Sequence, residues 1–194
     1  MDRYYIEKFL DGRRDLIRGR VLEISEDTCT REFGGERVER NDVLHLDDPA
    51  PPLRILGNLA DAPHIPSDTF DCIIITQTLM VIYDFQKVVE TLYRILKPGG
   101  TVLATTPGLS QIADPAWRTT WYWGFTAASA TRMFEDAFGQ AGVEVTAYGN
   151  VLTTIAFLHG ISHEELRPDE LDHVDPEYQM LIAIEARKPL GAAG

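Results

Sequence analysis

Phe70-Asp71-Cys72-Ile73-Ile74-Ile75-Thr76-Gln77-Thr78-Leu79 is followed along the chain by Leu92-Tyr93-Arg94-Ile95-Leu96-Lys97-Pro98-Gly99-Gly100-Thr101-Val102-Leu103-Ala104-Thr105. The first run opens with an unbroken apolar stretch and turns polar at Thr76. It reads as a strand buried on both faces, as a central parallel strand is. Residues 83–96 carry apolar side chains at Val88, Val89, Leu92, Ile95 and Leu96, the stripe of a helix facing a core. Pro98-Gly99-Gly100 stops that helix, and 101–105 is a second buried strand. In an open parallel sheet, ligands sit at the carboxyl ends of strands, which is where Thr76, Gln77 and Thr78 fall.

Working outward, the same alternation continues. Residues 4–17 have the apolar spacing of a leading helix, and 20–24 (Arg-Val-Leu-Glu-Ile) read as the first strand. A polar loop runs to Gly34-Gly35. Strand two is expected over 37–43, closed by Asp42, and strand three over 53–56. Beyond Pro107 the pattern breaks. Residues 109–125 hold all three tryptophans and show no period. A helix is expected over 126–140, with Thr126 as its N-cap, and strand six over 143–148. Residues 151–158 read as a short helix or a continued strand, 164–176 as an acidic loop and 178–186 as the last strand. No repeat or linker divides the 194 residues, so one domain is expected. The pattern predicts a doubly wound α/β sheet, and the two late strands suggest an antiparallel pair.

Composition narrows the partners. A net charge of −12 disfavours a nucleic-acid backbone or an anionic membrane surface. No apolar run is long enough for a transmembrane helix, and residues 1–5 lack the apolar core of a signal peptide. The two cysteines, Cys29 and Cys72, have no metal-like spacing, and a reduced, cytoplasmic setting is the expectation. Of the five histidines, only His159 and His163 have a helical spacing, and two histidines do not make a metal site. No metal is expected. A dinucleotide oxidoreductase is disfavoured, because no Gly-x-Gly-x-x-Gly follows the first strand.

The Phe70-Asp71 opening and the Leu96-Lys97-Pro98-Gly99-Gly100 turn together resemble the class I S-adenosylmethionine (SAM) dependent methyltransferases, over about residues 19–147. The chain is also similar to a group of small bacterial methyltransferase-domain proteins, methyltransferase type 11-like. The shared features there are the Tyr4-Tyr5-Ile6-Glu7-Lys8-Phe9-Leu10 opening, Thr76-Gln77-Thr78-Leu79 and Tyr122-Trp123-Gly124-Phe125-Thr126, in which relatives often have Arg for Gly124. The resemblance implies a Rossmann-like, seven-stranded, mostly parallel sheet with an antiparallel edge strand and helices on both faces. It implies SAM as cofactor, bound by Glu23, Ile24 and Ser25 after strand one, Asp42 at the ribose, Asn58 and Leu59 at the adenine, and Thr76 and Gln77 below the methyl. Asp47 and Asp48 compete with Asp42 for the ribose position. Ser25 stands where the family has the first glycine of its cofactor loop; a serine there suits a backbone that is not left-handed.

The tryptophan segment lies where the family builds acceptor recognition, which points to Trp117, Trp121, Tyr122 and Trp123 as substrate-binding, or equally as a plug on the side of the domain. No residue reads as a general base. The expected reaction is methyl transfer to a small-molecule or saccharide-like hydroxyl or amine. The alternative is a SAM-binding or cofactor-free relative with a regulatory or non-methylating role. Oligomeric state is not legible.

Overall fold

A computed structural model describes residues 1–47, 54–112 and 114–191. Seven strands form one sheet in the order β3-β2-β1-β4-β5-β7-β6. In chain order they are β1 (Gly19–Ile24), β2 (Val38–His45), β3 (Arg54–Leu56), β4 (Phe70–Thr76), β5 (Leu96–Pro107), β6 (Val143–Tyr148) and β7 (Leu181–Arg187). The helices are α1 (Asp2–Asp11), α2 (Phe85–Ile95), α3 (Ala127–Phe138), α4 (Val151–Leu158) and α5 (Pro168–Asp172). The pairs β1–β2, β2–β3, β1–β4 and β4–β5 are parallel. The strand that opposes the others is β7, which slots between β5 and β6 and runs antiparallel to both.

β4 is buried at every position from Cys72 to Ile75 because both faces of the sheet are covered. On one face Val88, Val89, Leu92 and Ile95 of α2 pack with Phe134 and Phe138 of α3 on Ile73, Val102 and Ile184. Full burial of each such side chain contributes about 1.5–3 kcal/mol. On the other face Phe9 and Leu10 of α1, with Phe33, cover Val21, Ile74 and Leu103.

The stop between α2 and β5 is tighter than the sequence suggests. The strand begins at once at Leu96, opposite Phe70, and the register then slips so that Cys72 faces Thr101. Lys97-Pro98-Gly99-Gly100 is therefore a bulge within the strand. A Cβ at Gly100 would lie 2.9 Å from Lys97 O and 3.0 Å from Asp71 O, so this bulge closes only on glycine. The Asp of the Phe-Asp opening explains the rest of the motif. Asp71 Oδ2 accepts from the Arg20 backbone N–H at 2.8 Å and from Lys97 Nζ at 2.7 Å. One carboxylate so joins the amino ends of β1, β4 and β5.

Several expected boundaries shift. Strand two continues to His45, so Asp42 lies within it rather than at its end. Leu53 and Asp48 lie outside the described residues. Residues 151–158 are helical because Asn150 caps them, its side chain accepting from Thr153 N–H while Thr153 Oγ1 accepts from Asn150 N–H. The acidic 164–176 stretch is not all loop; it contains α5, anchored by Asn150 Nδ2 donating to Glu170 O and His173 O. Thr126 caps α3 as expected. Among the described residues no helix is long and apolar enough to cross a membrane.

Burial alone would raise the Asp71 carboxyl, but the Lys97 ammonium and the Arg20 N–H outweigh it and hold the group below the usual range. Its contribution is complete above the unfolded carboxyl value, roughly 4, and is lost as the pH falls through the lower folded value. Asp71→Asn is expected to lower the unfolding free energy by about 1–2 kcal/mol at neutral pH, discounted for partial exposure. The difference from wild type should vanish in acid. Urea titrations at several pH values check both statements.

Candidate functional site

The carboxyl ends of β1 and β4 are adjacent in the sheet, and strand order reverses between them: β2 and β3 continue to one side of β1, β4 and β5 to the other. Such a reversal leaves a crevice for ligands. Here both strands end in a left-handed residue that is not glycine, Ser25 at φ +74° and Gln77 at φ +46°. A serine suits a backbone that is not left-handed, and Ser25 does not meet that condition. The torsion that glycine supplies elsewhere is kept, at the cost of strain in a serine. Each turn is held by a bond to a neighbouring strand, Ser25 N–H to Leu44 O at 2.8 Å and Gln77 N–H to Thr105 O at 2.9 Å.

Glu23 shapes the loop from beneath. Its carboxylate is only 4% exposed. Oε1 accepts from Cys29 N–H at 3.0 Å, and Oε2 from Thr30 N–H and Thr30 Oγ1, both at 2.7 Å. A loop without glycine is thus closed by three hydrogen bonds to one side chain. Burial pushes the Glu23 carboxyl up, and the bonds from Thr30 and Cys29 pull it back. Burial, with the Glu23 charge beside it, pushes the Cys29 thiol up to about 12, so it is no nucleophile near neutral pH.

Three cavities follow the crevice. The largest, about 490 Å³, has Glu23, Ser25, Thr76, Gln77 and Thr78 on its strand side and Asp2, Arg3, Ile6 and Glu7 of α1 as its roof. Glu26 and Glu32 complete an acidic lining, in which Arg3, the one cation, is already paired with Glu7. A second cavity of about 370 Å³ shares Ile24, Ser25 and Thr78 with the first and runs past Leu44, Leu46, Asn58 and Leu59 to Trp117. The third, about 180 Å³, is mostly apolar, with Met80, Trp121, Phe157 and Met180 in its walls. It meets the first at Asp2 and Gln77.

Of the cofactor residues expected from sequence, Glu23, Ile24, Ser25, Asn58, Leu59, Thr76 and Gln77 lie along this trough. Asp42 does not. It is 1% exposed within β2, with Arg20 Nε at 2.6 Å from Oδ2 and the Arg40 guanidinium on Oδ1. Its carboxylate is consumed inside the framework because the strand outruns the expected end. Asp47, the competing carboxylate, follows Leu46 at the cavity edge and is freely exposed. Asn58 Oδ1 takes the Ala60 N–H at 2.9 Å, the turn-capping role, and retains a second lone pair.

The aromatic segment divides. Trp117 stands at the end of the second cavity and Trp121 in the wall of the third. Trp123 is a plug, its Nε1 donating to Ile82 O at 3.1 Å and its ring edge-on to Phe85. Tyr122 is exposed against Tyr83. Neither lines the three cavities. Sequence reasoning missed α1 as the roof; its apolar spacing gave the helix but not the polar face over the crevice.

Glu23→Gln would set an amide N–H₂ against backbone donors, and a loss of about 1–3 kcal/mol is expected. Ser25→Val, a branched side chain forced into a left-handed turn, should cost about 2 kcal/mol, whereas Ser25→Gly should be neutral or slightly stabilising. Melting curves of the three variants check this order.

Comparisons with known proteins agree with this geometry. Residues 22–104 match the family model described as "Methyltransferase domain". A ubiquinone/menaquinone biosynthesis C-methyltransferase UbiE from Haemophilus ducreyi is 40% identical over 57 residues, 26% of this chain and 22% of that protein. The chain thus matches about a fifth of the length of such curated relatives. Among solved structures, a SAM-dependent methyltransferase from Archaeoglobus fulgidus superposes with a TM-score of 0.61 at 14% identity, covering 96% of this chain and 90% of that one. The [4+2]-cyclase SpnF superposes with a TM-score of 0.61 at 16% identity, covering 93% and 81%. The cofactor of the matched family, SAM, suits the acidic trough, since it carries a sulfonium and an ammonium against one carboxylate. Residues 22–104 are thus similar to a methyltransferase domain, and the chain shares its fold with solved SAM-dependent methyltransferases, with a β3-β2-β1-β4-β5-β7-β6 sheet and a crevice between β1 and β4.

Proposed function

We propose that the chain transfers the methyl group of SAM to a small, flat, largely apolar acceptor bearing a ring hydroxyl, a phenol or hydroquinone in class. The carrying observation is the continuous trough: an acidic chamber flanked on one side by a groove over Leu59 and on the other by an aromatic slot. Glu23 and Ser25 would hold the amino-acid end of SAM, Asp47 the ribose, and Asn58 and Leu59 the adenine. SAM supplies a methyl on a positively charged sulfur, a good leaving centre, to whichever lone pair is placed in line with it. The chain's own work is placement. Trp121, Met80 and Met180 present apolar faces that suit a ring better than a sugar, whose hydroxyls would go unpaired there. Trp121 is held by its N–H to Trp117 O, and the following Tyr122 N–H donates to Met80 O, so the slot wall is tied to the turn after β4. In-line placement can supply much of the rate without a strong base. The UbiE relative, by its name a quinone-pathway C-methyltransferase, adds ring carbon as an alternative methylated atom.

The non-methylating alternative draws on Ser25 in the loop where the family has glycine, and fold alone does not decide chemistry. Two assays separate the readings. Calorimetric titration with SAM should show one site per chain. Tritiated SAM should then label 1,4-dihydroxynaphthalene or catechol, but not glucose. SAM binding without labelling of any phenol or hydroquinone would leave the regulatory reading; absence of SAM binding would remove methyl transfer.

Asp47→Ala is expected to weaken SAM by roughly tenfold to a hundredfold, the loss of two hydrogen bonds to one carboxylate. Asp42→Ala should instead cost about 2–4 kcal/mol of stability by stranding Arg20, with SAM affinity changed much less. Paired calorimetry and denaturation distinguish the two positions.

The two slot-side tryptophans should also separate. Trp121→Ala is expected to raise the acceptor KM while SAM affinity holds. Trp123→Ala should lower stability by about 2–3 kcal/mol, a half-buried case of the large-to-small penalty.

A further inference from the structure

The chamber and the slot meet at two side chains. Of the described residues, Asp2 and Gln77 alone line both cavities. Methyl donor and acceptor bound as above would face each other there. Gln77 brings an amide whose Nε2 is buried and has no hydrogen-bond partner in the protein. A buried donor left unpaired is costly, so it marks a place where a ligand atom completes the site. Asp2 brings a carboxylate that is about half exposed, with the Met1 amino group at 3.7 Å.

The other acids of the chamber are differently placed. Both Glu23 oxygens are taken by the loop, Glu7 is paired with Arg3, and Glu26 accepts from Thr28 Oγ1 at 3.0 Å. Glu32 lines the chamber but not the slot. Among the described residues no histidine lines any of the three cavities.

We propose that Asp2, carried over the crevice by α1, is the catalytic proton acceptor, and that Gln77 positions the acceptor by donating from Nε2 to its oxygen. The inference rests on the methyl-transfer reading above. As the acceptor oxygen takes the methyl, the C–S bonding pair stays on sulfur, the hydroxyl proton passes to the Asp2 carboxylate, and the acid formed returns it to water. Atoms and charge balance: one cationic donor and one neutral hydroxyl give a neutral thioether, a methyl ether and one proton. The strained turn at Gln77 acquires a purpose, since it sets that side chain at the junction.

The test needs no acceptor. S-adenosylhomocysteine lacks any group at the methyl position, whereas sinefungin carries an ammonium there on a neutral carbon. If the Asp2 carboxylate faces this point, sinefungin should bind about tenfold tighter than S-adenosylhomocysteine, as a charge-assisted hydrogen bond predicts, and Asp2→Asn should bring the two within about threefold by weakening sinefungin alone. Glu32→Gln, in the same chamber but away from the junction with the slot, should lower the ratio by less than about twofold, the part due to the field alone. Equal binding of the two ligands to wild type, a ratio unmoved by Asp2→Asn, or a ratio collapsed equally by Glu32→Gln would each overturn the proposal while methyl transfer stands. If neither ligand binds the wild-type chain, the methyl-transfer reading itself fails, and the proposal with it. Melting temperatures of both variants should stay close to wild type, since Asp2 is half exposed and its contact with the Met1 amino group is a loose 3.7 Å.

Discussion

The Asp71 carboxylate is the constraint on which the sheet depends. It takes a backbone proton from β1 and a side-chain proton from β5 while standing on β4. Gly19 yields to it: a Cβ there would lie 2.6 Å from Asp71 Oδ2, on a backbone already at φ +65°. Arg20 then extends the lock sideways. Its backbone N–H goes to Asp71, its guanidinium goes to Asp42 in β2 and it lies over the Phe70 ring. Four parallel strands are thus tied together by two carboxylates, one arginine and one lysine. At the opposite edge β1 and β4 turn away to different neighbours, and the crevice opens there.

This explains what was legible in the sequence. Phe70-Asp71 and Leu96-Lys97-Pro98-Gly99-Gly100 encode contacts between backbone and a few side chains, so their residue types are dictated locally. Strand β4 announced itself because both its faces are covered. Asp42 misled for the same physical reason that it is conspicuous: an acid in an alternating strand looks like a strand end until its arginines are seen, and Arg20 comes from a different strand. Ser25 misled because serine says nothing about φ; the left-handed turn is imposed by Glu23, Thr30 and Leu44 together, and only Glu23 was noticed. The aromatic segment was visible as a cluster, but its division into groove, slot and plug depends on where Met80 and Ile82 present carbonyls to it. The roof over the crevice could not be read at all, since α1 lies far along the chain from β4.

Charge at the crevice follows from the same division of labour. The two carboxylates of the lock each have a cation, Asp71 with Lys97 and Asp42 with Arg20 and Arg40. Among the described residues lining the chamber the acids outnumber the cations, with Asp2, Glu7, Glu23, Glu26 and Glu32 against Arg3. A field of that sign in a recess favours a cationic ligand and raises its local concentration. On the proposed reaction it also favours release, since methyl transfer would remove the positive charge from sulfur.

Strain is the remaining link between the two edges. Left-handed backbone at Ser25 and Gln77 costs of order 1–3 kcal/mol each and persists only where the surroundings over-determine it. The amino-edge lock holds β1 and β4 in parallel register from Val21↔Cys72 to Glu23↔Ile74, so neither strand can slide to relax its last residue. Ser25 and Gln77 are then each bonded outward, to β2 and to β5. Pulled to opposite sides, the two chain ends cannot close on one another, and the gap between them is the chamber. On this account the crevice is a consequence of the register fixed at Asp71, transmitted along two strands, and the glycine that the first loop lacks is replaced by a buried carboxylate that holds the same torsion by force.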